Sequence, residues 1–145
     1  MYTKINEKDS AMKLGAIYSK EKTTFTLFSP VADSVFVIFY DKGNDSAEKG
    51  RLEMMRGEGE LRSIFSATAE GNLDGVYYTY EVHTSDGTFS SHDPYARACG
   101  VNGHRSMVID LSKTDPDGFA DEDRPKLADP MSMVITEVSV ADVSA

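Results

Sequence analysis

Tyr40 and Tyr77 are the residues of this chain best suited to holding a polyhydroxylated ligand by an exposed ring. C–H faces stack on π systems and hydroxyls need partners, so such sites combine flat aromatic faces with a few polar groups. The chain has no tryptophan, which leaves that work to seven tyrosines and seven phenylalanines. Asp93-Pro94-Tyr95 is a second candidate. Asp before Pro favours the start of a turn, the carboxylate accepts backbone N–H groups, and the Tyr95 ring is expected to pack against a neighbouring domain. Other chemistry is sparse. Glu58, Glu60, Asp121, Glu122 and Asp123 read as solvated surface rather than an acid/base pair. No Gly-x-Ser-x-Gly elbow marks a nucleophile. His83, His92 and His104 lack the spacing of a zinc site, and the single Cys99 adds no ligand set. No cofactor, metal or catalytic residue is expected.

Length and charge narrow the classes further. A chain of 145 residues suits one domain with a proper core and is too short for a (β/α)₈ barrel of roughly 250 residues. The 24 acidic against 15 basic residues give a net charge of −9, which argues against a nucleic-acid partner. No segment has the length of a transmembrane helix, so no membrane partner is expected. The lone cysteine rules out an intrachain disulfide and the polar start lacks a secretory h-region. These features favour the cytoplasm and leave an extracellular setting open for a piece of a longer protein.

The elements that must position these residues are short and alternating. Residues 1–13 form a polar tail or edge segment. Residues 14–112 form a sandwich domain in which apolar runs are separated by turn chemistry. Thr23–Phe28 alternates with Phe25 and Leu27 on one face. Ser34–Tyr40 is nearly continuous in apolar residues, as a strand covered on both faces would be, and Phe36 is expected in the core. Arg51–Met55 and Leu61–Thr68 make further strands. In Val76–His83 the period of two puts Val76, Tyr78, Tyr80 and Val82 on the core face. Ser85-Asp86-Gly87 is a hairpin turn, Asn102-Gly103 a tight turn, and Met107–Leu111 the last strand. Residues 113–145 change character. A linker rich in Asp and Pro, including Arg124-Pro125, leads to a strand over Met133–Val140 with nothing after it to pair with. Such a strand suggests a parent protein that continues, and its free edge invites self-association through 131–140. No amphipathic helix of useful length appears.

The order of motifs resembles the N-terminal β-sandwich of type I pullulanases, α-1,6-glucan debranching enzymes of the α-amylase superfamily. Leu14-Gly15-Ala16-Ile17-Tyr18 matches the family's stretch before the first strand, and Leu27-Phe28-Ser29-Pro30 its Leu-Trp-Ala-Pro. Gly71-Asn72-Leu73-Asp74-Gly75-Val76-Tyr77-Tyr78-Thr79-Tyr80 matches Gly-Asp-Leu-x-Gly-x-Tyr-Tyr-Thr-Tyr. Asp93-Pro94-Tyr95-Ala96 and Val101-Asn102-Gly103-His104-Arg105 are intact, and Thr114-Asp115-Pro116-Asp117-Gly118-Phe119 matches the linker.

The resemblance implies an all-β, immunoglobulin-like sandwich of the early-set type with a C-terminal linker and an orphan strand. It implies domain-docking roles for Asp93, Tyr95, Asn102 and Arg105. Where the family opens its catalytic barrel with Tyr-Glu-x-His-Val-Arg-Asp-Phe-Ser, this chain has Thr136-Glu137-Val138-Ser139-Val140-Ala141-Asp142-Val143-Ser144. The family's catalytic carboxylates lie on later barrel strands and have no counterpart here.

Three functions stand open. The chain is a non-catalytic accessory domain beside a glycoside hydrolase barrel, an independent α-glucan-binding module, or an interaction domain without glucan affinity. Tyr40 and Tyr77 are the carbohydrate-contact candidates.

Overall fold

The structure is a computed structural model that describes residues 13–123 and 126–144. The chain divides into two compact units, Met1–Thr114 and Asp115–Ala145. Most of the expected N-terminal tail, and the Arg124-Pro125 pair, lie outside the described residues.

The first unit is an all-β, immunoglobulin-like sandwich. Its strands are β1 (Gly15–Tyr18), β2 (Lys22–Phe28), β3 (Ser34–Tyr40), β4 (Glu48–Arg56), β5 (Ile64–Glu70), β6 (Tyr77–Thr84), β7 (Gly87–Ser91), β8 (Ala98–Cys99) and β9 (Ser106–Met107). Their order is β1-β2-β5-β4-β3-β6-β9-β8, with β7 also paired to β6. Every ladder is antiparallel. One strand serves both layers. The first part of β4 pairs with β3, while Met55 and Arg56 pair with Ser66 and Phe65 of β5. That hand-over turns one long sheet into two facing layers.

Alternation explains what lies between the layers. Phe25 and Leu27 of β2, Val35 and Val37 of β3, Met54 of β4, Phe65 of β5 and Tyr78 and Tyr80 of β6 are all buried in one cluster with Val108. Edge-to-face contacts tie its rings together, at 5.0 Å between the Phe25 and Tyr78 centroids and 5.8 Å between Tyr78 and Tyr80. Thr23 shares this face and is fully buried.

Four expectations are corrected. Phe36 stands on the outer face between Val35 and Val37, and it is only half-buried. The run Ser34–Tyr40 looked continuous because its outer face also carries apolar residues. Leu14–Tyr18 does not merely precede the first strand, since Gly15–Tyr18 is itself a strand held by Thr23–Thr26. The last strand is shorter than Met107–Leu111. Its partner β6 starts at Tyr77, so after Val108 the chain turns, with Asp110 capping a 3₁₀ turn over Leu111–Lys113 through Ser112 N–H. Finally, no strand forms over Met133–Val140. Met133 and Ser139 keep extended backbone, Val134 and Ile135 are exposed, and Val140–Val143 closes a four-residue helix, α1. Apolar pattern alone does not make a strand without a neighbour to accept its hydrogen bonds. Among the described residues no helix is long and apolar enough to cross a membrane.

Candidate functional site

The outer face of the β4-β3-β6-β9-β8 layer gathers three of the residues singled out in the sequence. Tyr40 at the end of β3 pairs in register with Tyr77 at the start of β6, and Tyr77 pairs on its other side with Met107. Arg105, from the loop before β9, lays its guanidinium 3.5 Å from the Tyr40 ring centroid. The same group donates to the Lys42 carbonyl and Ser46 Oγ, both at 2.8 Å, and to the Ser46 carbonyl at 2.9 Å. Five donors in a rigid fork let one arginine stack on a ring and tie down a loop together, which a lysine does not do.

The loops after β3 and β8 meet above this pair. A Cβ on Gly100 would stand 2.5 Å from Gly43 Cα, and one on Gly43 would stand 3.1 Å from Tyr77 Cε1. Both positions therefore require glycine for close approach. Asn102 sits exposed at a left-handed φ of 54° in the turn Val101–Gly103. Tyr40 and Tyr77 are both half-buried, one flanked by the Arg105 guanidinium and the other by the Gly43 backbone.

Asp93 is placed differently. It is 2 % exposed, and its Oδ2 accepts from Tyr78 Oη at 2.7 Å and Tyr80 Oη at 3.2 Å. Its Oδ1 accepts from Tyr95 N–H at 2.8 Å, and its own N–H donates to Ser106 Oγ at 2.8 Å. The carboxylate thus works inward, and what it presents outward is the exposed Tyr95. Burial, with the Asp93 charge beside them, pushes both tyrosine hydroxyls far above their usual range.

A further cluster on the outer face was not foreseen. The Phe36 ring lies between the His83 ring, 5.4 Å away, and the Arg51 guanidinium, 5.9 Å away. Arg51 donates to both Glu48 oxygens at 2.8 and 2.7 Å and to Glu81 at 3.2 Å, and His83 Nε2 lies 2.9 Å from Glu81 Oε1. The Arg51 hydrogen bonds hold the Glu48 carboxyl below the usual carboxylate range. The available signal was period two in paired strands, which puts Phe36 opposite Glu81.

This sandwich matches a known family over residues 13–96, described as carbohydrate-binding module 48, the isoamylase N-terminal domain. The chain belongs to that family. As a module 48 domain it is 31% identical over 116 residues to pullulanase A of Streptococcus pneumoniae serotype 4, covering 75% of this chain and 9% of that protein. It is 28% identical over 142 residues to the chloroplastic pullulanase 1 of Arabidopsis thaliana, covering 91% and 14%. Among solved structures it superposes on the pullulanase of Paenibacillus barengoltzii crystallised with maltohexaose and α-cyclodextrin, at a TM-score of 0.77 and 34% identity over 87% of this chain and 19% of that one. The pullulanase of Bacillus acidopullulyticus gives 0.74 and 34%, over 81% and 14%. The module thus spans less than a fifth of each of these relatives.

Proposed function

We propose that this module 48 domain is a non-catalytic accessory domain that serves a debranching glycoside hydrolase acting on α-1,6-glucan linkages. The match to the module 48 part of pullulanases carries this reading. Two features of the surface support it over a free-standing glucan binder. The paired Tyr40 and Tyr77 rings are half-buried and flanked, so little open stacking face remains. Tyr95, by contrast, is held outward by a turn whose carboxylate is locked in the core, which makes it a rigid apolar contact for a catalytic barrel. The exposed Asn102 is assigned the same docking role, with Arg105 bracing the Lys42–Ser46 loop against Tyr40, and α-glucan is left the margin of the Tyr40–Tyr77 face.

The test has two arms. The purified chain is expected to release no reducing sugar from pullulan. Added to a pullulanase barrel that lacks its own module, it is expected to form a complex that Tyr95→Ala weakens. Hydrolysis of pullulan by the chain alone, or no complex with the barrel, overturns the accessory reading. Strong retention on amylopectin without any barrel affinity favours the independent glucan-binding module instead.

A further inference from the structure

The sandwich is laced along one side by β4 and parts along the other, where β1 faces the stretch Met107–Ser112. A cavity of 310 Å³ opens in that seam, within the roughly 300–1,000 Å³ of small-ligand sites. Ile17 and Ile109 contribute apolar wall, and the Tyr18 ring stands beside them. That ring is fixed, because its hydroxyl donates to Asn72 Oδ1 at 2.9 Å.

The polar side of the cavity is built as firmly. Asp110 is 9 % exposed. Its Oδ1 accepts from Ser112 Oγ at 2.6 Å and Ser112 N–H at 3.1 Å, and its backbone N–H donates to Asp74 Oδ1 at 2.8 Å. Its Oδ2 accepts no hydrogen bond among the described residues and forms only a long ion pair with the Lys113 ammonium, 3.9 Å away. The Ser112 hydrogen bonds hold this carboxyl below its usual range, so it is an ionised acceptor at neutral pH. Arg97 lines the same cavity and makes no hydrogen bond or ion pair among the described residues.

A fixed ring, an oriented acceptor with one oxygen open to a hydrogen bond and an unpaired fork of donors together select a ligand class. Neighbouring hydroxyls donate to a carboxylate and accept from a guanidinium, while a C–H face packs on the ring. An anion would find Lys13 and Arg97 on the cavity wall, but it would also meet the ionised Asp110 with Asp74 next to it. A wholly apolar ligand would strip Asp110 of water without replacing its hydrogen bonds. We infer that the seam is a second carbohydrate site that takes the end of a short maltooligosaccharide, apart from the Tyr40–Tyr77 face. The ligand class rests on the proposed α-glucan role; the location does not.

The experiment is an amide NMR titration of the whole chain with maltose. Shifts are expected to centre on Tyr18, Arg97 and Ile109–Ser112, with a midpoint in the millimolar range. Arg97→Ala is expected to weaken that midpoint by about tenfold, as loss of a hydrogen bond to a charged group does. It leaves the fold intact because Arg97 is exposed and unpaired, and Tyr40→Phe is expected to leave the seam shifts unchanged. Shifts confined to Tyr40 and Tyr77 overturn the seam site while sparing a glucan role. No shift anywhere overturns the seam site, and failed retention on amylopectin beside it removes the glucan role as well. Equal seam shifts with inorganic phosphate assign the cavity to anions and also overturn the proposal.

Discussion

Tyr78 and Asp93 meet in the interior, hydroxyl to carboxylate across 2.7 Å, and Tyr80 joins them on the same oxygen. The Asp93 carboxylate thereby anchors the central strand β6 and the Tyr95 turn, and the backbone N–H of the same residue, donating to Ser106 Oγ, ties in strand β9.

Removing that anchor is expected to be costly. Asp93→Ala leaves two buried hydroxyls without an acceptor, each worth about 1–3 kcal/mol. Asp93→Asn keeps an acceptor and is expected to lose less. Denaturant midpoints of the two variants order them, and equal midpoints would show that the carboxylate is dispensable.

Alkaline pH acts on the same cluster. Both hydroxyl pKa values are raised in the folded state, mainly by burial. In the unfolded chain tyrosine ionises near pH ~10. The native state therefore binds more protons above that pH. Its stability is intact below about pH 10 and falls as pH rises from there toward the raised folded values. Absorbance titration is expected to show two tyrosines that ionise only on unfolding.

Faces of β3 and β6 separate two otherwise similar ring deletions. Tyr78→Ala is expected to cost about 3–5 kcal/mol as a core truncation. Phe36→Ala removes a half-buried ring from the outer face and is expected to cost about 1–2 kcal/mol. Urea melts of both decide it, and equal losses would contradict the assigned faces.

Thr23 offers the opposite sign. It is fully buried among apolar neighbours, and its Oγ1 has no partner among the described residues. Thr23→Val keeps the shape and removes that unpaired hydroxyl, so it is expected to stabilise the sandwich by about 1 kcal/mol. An unchanged or lowered melting point counts against it.

The apolar stretch 131–140 is expected to drive weak self-association, since Met131, Val134, Ile135, Val138 and Val140 are all exposed. Light scattering of the whole chain against one lacking 131–145 measures this. A monomer at high concentration in both removes the idea.

Period-two patterning placed Phe25, Leu27, Tyr78 and Tyr80 in the core because each has its strand neighbours on both sides. Apolar continuity misled at Phe36, where both faces of β3 carry apolar side chains and Val35 and Val37 take the core side. It misled again at Met133–Val140, where the pattern exists and the partner strand does not. Tyr40 and Tyr77 were each readable as a candidate outward ring, though their pairing in register was not. Nor was their cover, because the Arg105 stack and the Gly43–Gly100 approach join loops about sixty residues apart. The seam cavity was hidden for the same reason: Tyr18 and Asp110 come together only when the two ends of the sheet order face each other.

The double pairing of β4 makes the two layers a bound volume, with its spine at Met54 and Met55 and its fore-edge at β1 and Val108. A book of that kind does not split into free pages. Any breathing of the layers is a hinged opening about the spine, widest at the far margin. The place in this molecule where the pages part most readily is therefore also the place where the cavity already stands.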